Sequence, residues 1–167
     1  MTNNPGASLP QKILISPALT PTKISGRQVH FLFSIRQVED ILKETPVYPV
    51  PFSPPHVEGI AKWRNLALPV ISLEKRLGLD IRPPDAEFQK STRLIAVRAL
   101  DPGEKHIMLR VSDAIRMFSL PISYTPAPSV GWLSEDSLVK GVYEWDEGYL
   151  LVLQLKTEEV REVGSEK

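Results

Sequence analysis

Large apolar residues occupy every second position between residues 29 and 35. They are Val29, Phe31, Phe33 and Ile35. Successive side chains of a strand point to opposite faces, so this two-residue period is that of a strand with one buried face. The pattern predicts a strand over residues 29–35.

From Ile35 the apolar period lengthens to three or four residues. Ile35, Val38, Ile41 and Leu42 follow this spacing, with mostly polar and charged residues between them. A repeat near 3.6 residues is that of an amphipathic helix. A short helix or helical turn is therefore predicted here.

Three pairs of apolar segments are separated by short loops of turn-forming residues. The segments are 60–63 with 66–71, 94–100 with 105–118, and 139–145 with 149–155. Arg64 and Asn65 join the first pair, and Asn tolerates the left-handed backbone that a tight turn needs. The other two loops each contain a glycine, which suits a turn. Each pair is predicted to be two strands joined as a hairpin.

Helices are predicted to be short, because sixteen prolines interrupt the chain and each removes a backbone donor. Residues 73–79 are expected to form one or two helical turns that stop at Gly78. Residues 157–163 are expected to form a helix near the C-terminus, with Thr157 as its N-cap. Residues 81–90 are assigned as the connection between two strand-rich halves, which together suggest paired small barrels.

Composition narrows the class of protein. The 167 residues suit one compact domain or two small subdomains sharing a core. Lys plus Arg and Asp plus Glu are equal at 20 each, so no global field would gather nucleic acid or anionic membrane. The chain has no cysteine, which excludes disulfides and thiolate sites and suits the cytosol. No targeting or membrane-spanning segment is expected.

Motifs of enzymes and metal sites are not found in the sequence. His30, His56 and His106 are scattered, without the paired spacing of metal ligands. The serines lack a nucleophile-elbow pattern, and no phosphate-binding glycine loop occurs. We therefore expect no metal, no cofactor and no enzymatic activity.

Between Val47 and Leu73 a proline-rich approach ends at Gly59, and after a short apolar segment and a turn, residues 68–73 read Leu-Pro-Val-Ile-Ser-Leu. This order resembles the CheW-like domain of bacterial chemotaxis adaptors. The family's central Asn-Leu-Arg-Gly turn reads Lys-Trp-Arg-Asn over residues 62–65, so only Arg64 is retained.

The resemblance extends from Gly26 to Val160. Residues 38–41 read Val-Glu-Asp-Ile and resemble the family's Val-x-Glu-Ile segment, with Asp40 at its acidic position. Ser112 and Gln154 stand where members usually carry Asp. These departures indicate a divergent member.

The resemblance implies a mainly β fold, with two small five-stranded barrels of the src-homology-3 (SH3) type packed side by side and a few short helices. Residues 1–25 would be an N-terminal segment with a candidate first strand at residues 13–15. The CheW-like domain would span residues 26–160, with subdomains at about 26–82 and 90–160, and residues 161–167 would be a tail.

The resemblance also implies a non-enzymatic, cytoplasmic adaptor. Such adaptors couple the cytoplasmic tip of a chemoreceptor to the regulatory domain of a CheA-type histidine kinase, and reach membrane-associated arrays through these partners. One alternative is an auxiliary adaptor of a pilus-motility or other chemosensory-type pathway, which binds one partner or competes with the main adaptor. A second is a small-barrel nucleic-acid-binding module, but the chain shows no basic stripe interleaved with aromatics.

Five residues are candidates for partner binding: Val38, Ile41, Trp63, Arg64 and Asn65. Val38 and Ile41 either line a receptor groove between the subdomains or belong to the core. Arg64 either binds a carboxylate of the kinase or braces its own loop. Trp63 is either an exposed hot spot or a core residue.

Two further residues, Gly59 and Gly141, precede apolar segments in the two halves. We expect both to be structural glycines that serve the backbone geometry of turns.

Overall fold

The computed structural model describes residues 11–19, 23–79, 91–98, 105–135 and 138–155. Within these ranges the chain forms short strands, one α-helix and two 3₁₀ segments. The strands are β1 Lys12–Pro17, β2 Lys23–Ile24, β3 Arg27–Ser34, β4 Val38–Leu42, β5 Val57–Trp63, β6 Leu66–Ile71, β7 Thr92–Arg98, β8 His106–Ser112, β9 Arg116–Ser119, β10 Thr125–Pro126, β11 Val139–Trp145 and β12 Gly148–Leu153. None of the helices in the described ranges has the length and apolar character needed to cross a membrane.

The strands form two sheets. One has five strands in the order β4-β7-β8-β6-β5, and the other has seven, in the order β10-β11-β12-β3-β1-β9 with β2 paired to β3. The predicted mainly β fold with two SH3-like units is confirmed. The backbone hydrogen bonds leave both sheets open, however, so neither is a closed barrel, and one sheet has seven strands instead of five.

Each sheet combines strands that are distant in sequence. Parallel pairing of β12 with β3 brings the last described strand beside an early one, and parallel pairing of β6 with β8 joins two strands from the middle of the chain in the five-stranded sheet. The candidate first strand lies within β1, between β3 and β9. Each sheet therefore contains strands from both of the ranges, 26–82 and 90–160, that the sequence suggested as subdomains.

The helix predicted from Ile35 to Leu42 is wrong beyond its first turn. A 3₁₀ segment, Ile35–Gln37, is followed by β4, which contains a β-bulge at Glu39. The bulge inserts one extra residue into the strand. Val38 and Ile41 consequently point to the same face although they are three residues apart. A bulge thus produced the spacing that resembled a helix.

Two of the predicted hairpins agree with the structure, but the predicted strand over residues 105–118 is divided into β8 and β9, which belong to different sheets. β5 pairs with β6 around Arg64 and Asn65, and β11 pairs with β12 around residues 146–147. β7 and β8 are antiparallel neighbours, and their connecting loop, residues 101–104, lies outside the described residues.

The predicted helix after β6 is also confirmed. It is α1, Leu73–Arg76, and its first turn is capped by the side chain of Ser72, whose Oγ accepts from the backbone N–H of Lys75 at 3.2 Å. Gly78 follows with a φ of 75°, as expected for a residue that ends a helix. The predicted helix at 157–163 lies outside the described residues.

The main core lies between the two sheets. Its fully buried members from both sheets include Phe31, Phe33, Leu151, Ile71, Ile95 and Leu109. Because side chains alternate along a strand, each sheet carries a second apolar cluster on its other face. On the five-stranded sheet this cluster is Ala61, Trp63, Leu68, Val70, Leu94, Ala96 and Met108. On the seven-stranded sheet it is centred on Ile13, Ile15 and Leu150.

Gly59 lies within β5, beside a β-bulge, and not in a turn. Its φ is 155°, and a Cβ at this position would overlap the carbonyl oxygen of Tyr48. Tyr48 is bridged to the neighbouring Ile60 by two backbone hydrogen bonds of 2.9 Å. A glycine at position 59 lets this segment lie directly against the outer edge of β5.

Substitution of Gly59 by Ala should therefore destabilise the protein. We expect the free energy of unfolding to fall by about 2–4 kcal/mol, because an unfavourable φ and a steric overlap act together. Gly26→Ala is the matched control, since Gly26 has a φ of 76° but nothing within 4 Å of the added carbon. Urea denaturation should show a clearly smaller loss for Gly26→Ala, and equal losses would contradict the steric argument.

Candidate partner-binding site

The turn between β5 and β6 carries two of the candidate residues, Arg64 and Asn65. Both side chains are exposed, and Leu66, the next residue, is 48% exposed. The sequence assigned the left-handed position to Asn65, but the structure places it at Arg64, which has a φ of 56°. A bulky residue with positive φ is uncommon, so the surrounding contacts must hold Arg64 in place.

Trp63 supplies one such contact. Its side chain is only 4% exposed and belongs to the apolar cluster on the outer face of the five-stranded sheet. The guanidinium carbon of Arg64 lies 4.2 Å from the centroid of the Trp63 ring, which is the geometry of a cation–π contact. Trp63 is thus a core residue. Arg64, which stacks on its ring, is the side chain that is exposed to solvent.

The polar edge of Trp63 is bonded to the opposite edge of the sheet. Its Nε1–H donates to Oδ2 of Asp40 at 3.1 Å, and Oδ1 of the same carboxylate accepts from the backbone N–H of Ile41 at 2.9 Å. Asp40 lies on β4 and Trp63 on β5, the two outermost strands of the five-stranded sheet. The sheet is therefore curled, and a side-chain hydrogen bond links its edges where backbone pairing does not.

Charged and aromatic side chains surround this link. The ring of His106 lies 5.1 Å from that of Trp63. Glu39 has its Oε2 3.6 Å from Nη1 of Arg98 and 3.9 Å from Nε2 of His106. Since the ion pair between Glu39 and Arg98 is partly exposed, it adds little stability by itself. It does place two opposite charges near the rim around Trp63.

Val38 and Ile41 lie on the other face of the same sheet edge. Val38 pairs with Val97 and Ile41 with Ile95, and both partners belong to the core between the sheets. Val38 is half-buried against that core, whereas Ile41 is 45% exposed. Ile41 is thus an accessible apolar residue at the margin between the two sheets.

Contacts across the two outer strands of the five-stranded sheet therefore connect three of the predicted residues. They run from the Arg64 side chain through Trp63 and Asp40 to the backbone N–H of Ile41. Asp40 was not among the predicted binding residues, although in the sequence it stands at the acidic position of the family's Val-x-Glu-Ile segment. A carboxylate close in space to an indole N–H is invisible in sequence, because 23 residues separate Asp40 from Trp63.

Gly141 lies on the other sheet, in β11, where a β-bulge also occurs. A Cβ at Gly141 would come within 2.7 Å of the phenolic oxygen of Tyr143. The glycine therefore leaves room for the ring of Tyr143 to lie along the strand. Its predicted role in backbone geometry stays a prediction.

Within the described residues, no three His, Cys, Asp or Glu side chains come together as metal ligands. His30 is buried, and this burial lowers its pKa below the ordinary value, although a hydrogen bond with the Tyr149 carbonyl and the charge of Glu147 partly oppose the shift. It lies on the seven-stranded sheet, away from the Arg64 turn.

These features define a two-sheet, SH3-like β protein with a positively charged, rigidly supported turn on its surface. The family model of the CheW-like domain matches residues 23–159. The chain belongs to the CheW-like domain family.

Two curated relatives have the name chemotaxis protein CheW. The protein from Treponema pallidum (strain Nichols) is 26% identical over 121 residues, which cover 72% of this chain and 70% of the relative. The protein from Thermotoga maritima is 28% identical over 85 residues, covering 51% of this chain and 53% of the relative.

The fold is similar to a crystal structure of the scaffolding protein TtCheW from Thermoanaerobacter tengcongensis. The TM-score is 0.61 at 26% identity, and the match covers 89% of this chain and 92% of the other.

The link between Trp63 and Asp40 should be measurable as a coupling energy. In a double-mutant cycle of Trp63→Phe and Asp40→Ala, we expect an interaction of about 1–2 kcal/mol, the value of a partly buried hydrogen bond to a charged group. The control cycle combines Trp63→Phe with Glu39→Ala, for which near-additive losses are expected. Urea unfolding measures both, and an interaction near zero for Trp63 and Asp40 would show that the two edges are independent.

Proposed function

We propose that this chain is a non-enzymatic, cytoplasmic adaptor that couples the cytoplasmic tip of a chemoreceptor to the regulatory domain of a CheA-type histidine kinase. Membership of the CheW-like family supports this role. So do the chemotaxis proteins and the scaffolding protein that the chain resembles. The observation that carries the proposal is the support of Arg64, whose guanidinium stands over a buried Trp63.

The Arg64 turn is suited to binding a carboxylate of the kinase. Arg has a planar fork of donors that matches a carboxylate, and Arg64 is exposed at the tip of a hairpin. Stacking on Trp63 limits the conformations of the guanidinium before a partner arrives. Less conformational entropy is then lost on binding. Asn65 would contribute further polar contacts beside it.

The margin at Ile41 is suited to an apolar partner such as the helical receptor tip. Ile41 is exposed and Val38 lies half-buried on the same face. A helix that places an apolar side chain against this margin would bury Ile41, as in helix-in-groove recognition. Arg64 lies at the tip of the β5–β6 hairpin, whereas Ile41 lies on β4 at the margin toward the other sheet. Because the two surfaces are separate, we expect that both partners can bind at the same time.

One observation favours a second candidate, an auxiliary adaptor of a pilus-motility or other chemosensory-type pathway. Of the family's four-residue turn only Arg64 is retained, and the large Trp63 stands at the position of Leu. Such a protein would bind one of the two partners and not the other. Separate titrations with each partner distinguish the candidates.

Replacing Arg64 by Ala should weaken kinase binding while the fold is kept. We expect the affinity for the regulatory domain to fall by about 1–3 kcal/mol, the value of a charge-assisted hydrogen bond. Lys62→Ala is the matched control, because Lys62 is an exposed cation two residues away on β5. Calorimetric titration measures affinity, and urea unfolding reports the stability of each variant. Unchanged affinity of folded Arg64→Ala protein would make Arg64 a structural residue.

Replacing Ile41 by Asp should weaken binding of the receptor tip at least about tenfold, since a charge would enter an apolar contact. Leu66→Asp is the control, because Leu66 is exposed to a similar extent, 48% against 45% for Ile41, but lies at the hairpin. Anisotropy titration with a labelled receptor-tip fragment measures the effect. Equal weakening by both substitutions would indicate a non-specific charge effect and contradict the assignment of Ile41.

A further inference from the structure

The seven-stranded sheet carries an apolar pocket that the adaptor role does not use. Its volume is about 320 Å³, and its floor is formed by Ile13, Leu32 and Leu150. Leu120 and Ile122, from the segment between β9 and β10, form one side. These residues belong to the apolar cluster on the face of this sheet that points away from the five-stranded sheet. The pocket is thus separate from the Arg64 turn.

Val152 and three polar side chains, Tyr124, Lys140 and Tyr143, complete the lining of the pocket. Lys140 is exposed and forms no ion pair with any residue that the structure describes. The lining includes no acidic side chain. An apolar floor together with a cation and two phenols matches a ligand that has an apolar body and an anionic end.

Local backbone geometry shapes this side of the pocket. Gly141 has no Cβ, which allows the ring of Tyr143 to lie along β11. Tyr124 packs edge to face against Tyr143, with ring centroids 4.9 Å apart. Lys140 is the extra residue of the β-bulge in the same strand. Lys140 and Tyr143, with Gly141 between them on β11, therefore line the pocket together with Tyr124, which packs against Tyr143.

We propose that this pocket binds a small amphiphilic carboxylate. An engineered cavity of about 150 Å³ holds one benzene molecule, so the pocket has room for an apolar body of about ten carbon atoms. A single side chain of a protein partner would leave much of this space empty, which favours a longer molecule. The carboxylate would contact Lys140 and the two phenols. This binding activity goes beyond the adaptor role and lies on the other sheet.

Decanoate and 1-decanol, below the concentration at which decanoate forms micelles, are suitable probes. Both have the same apolar chain, but decanoate ends in a charged carboxylate and 1-decanol in a neutral hydroxyl. In a methyl-labelled sample of the full chain, decanoate should shift the signals of Ile13, Leu32 and Ile122. Ile41 and Leu66, on the other sheet, are internal controls and should not shift. No shift in the pocket, or equal shifts at all five residues, would overturn the proposal.

Lys140→Gln tests the charged end. We expect decanoate affinity to fall about fivefold, the value of an exposed ion pair, whereas decanol affinity is unchanged. Lys62→Gln, on the other sheet, should leave both affinities unchanged. If Lys140→Gln leaves decanoate binding as it was, the proposed contact with the carboxylate is wrong.

Ile122→Trp tests the apolar part by filling the pocket. Ile122 lies outside the strands, so the larger side chain should be tolerated, and binding of both probes should be lost. Retained binding in a folded Ile122→Trp protein would place the ligand elsewhere. Should this variant unfold, the comparison of decanoate with decanol in Lys140→Gln still decides the proposal.

Discussion

The hydrogen bond between Trp63 and Asp40 is the contact on which the arrangement of the candidate surfaces depends. Trp63 has its ring in the apolar cluster of the five-stranded sheet, where an indole N–H without an acceptor would be costly. Asp40 supplies the acceptor from the opposite edge of the sheet. Its second oxygen binds the N–H of Ile41, which fixes β4 just after its bulge. One carboxylate thus joins the two edges of the sheet and binds the backbone at Ile41.

The same contact explains how this chain departs from its family without losing the turn. Trp63 stands at the Leu position of the family pattern, and Leu has no polar atom that needs a partner. The acidic residue of the Val-x-Glu-Ile segment is Asp40 here. In this chain the indole and the carboxylate satisfy each other, and the ring face of Trp63 is left for Arg64.

The sequence was informative where structure is decided locally. The hairpin at Arg64 follows from a tight turn between two apolar runs, and the end of α1 follows from Gly78, whereas the Ser72 cap was found only in the structure. The bulge at Glu39 was not predictable, because it mimics helical spacing. The parallel pairs β12 with β3 and β6 with β8 join distant segments, and no local pattern specifies them. The same limit applies to the site: Arg64 was identified, but its support by Asp40 was not.

The edges of the five-stranded sheet determine how a partner can bind there. An unpaired edge strand can extend into another chain through its backbone. On β5 the bridge between Tyr48 and Ile60 satisfies backbone groups of the outer edge, and Gly59 permits that close approach. Strand addition at the middle of β5 is therefore blocked, and the side chains at the Arg64 turn remain available. Binding through a few side chains can be altered by single substitutions, which suits an adaptor that has diverged from its relatives while keeping its fold.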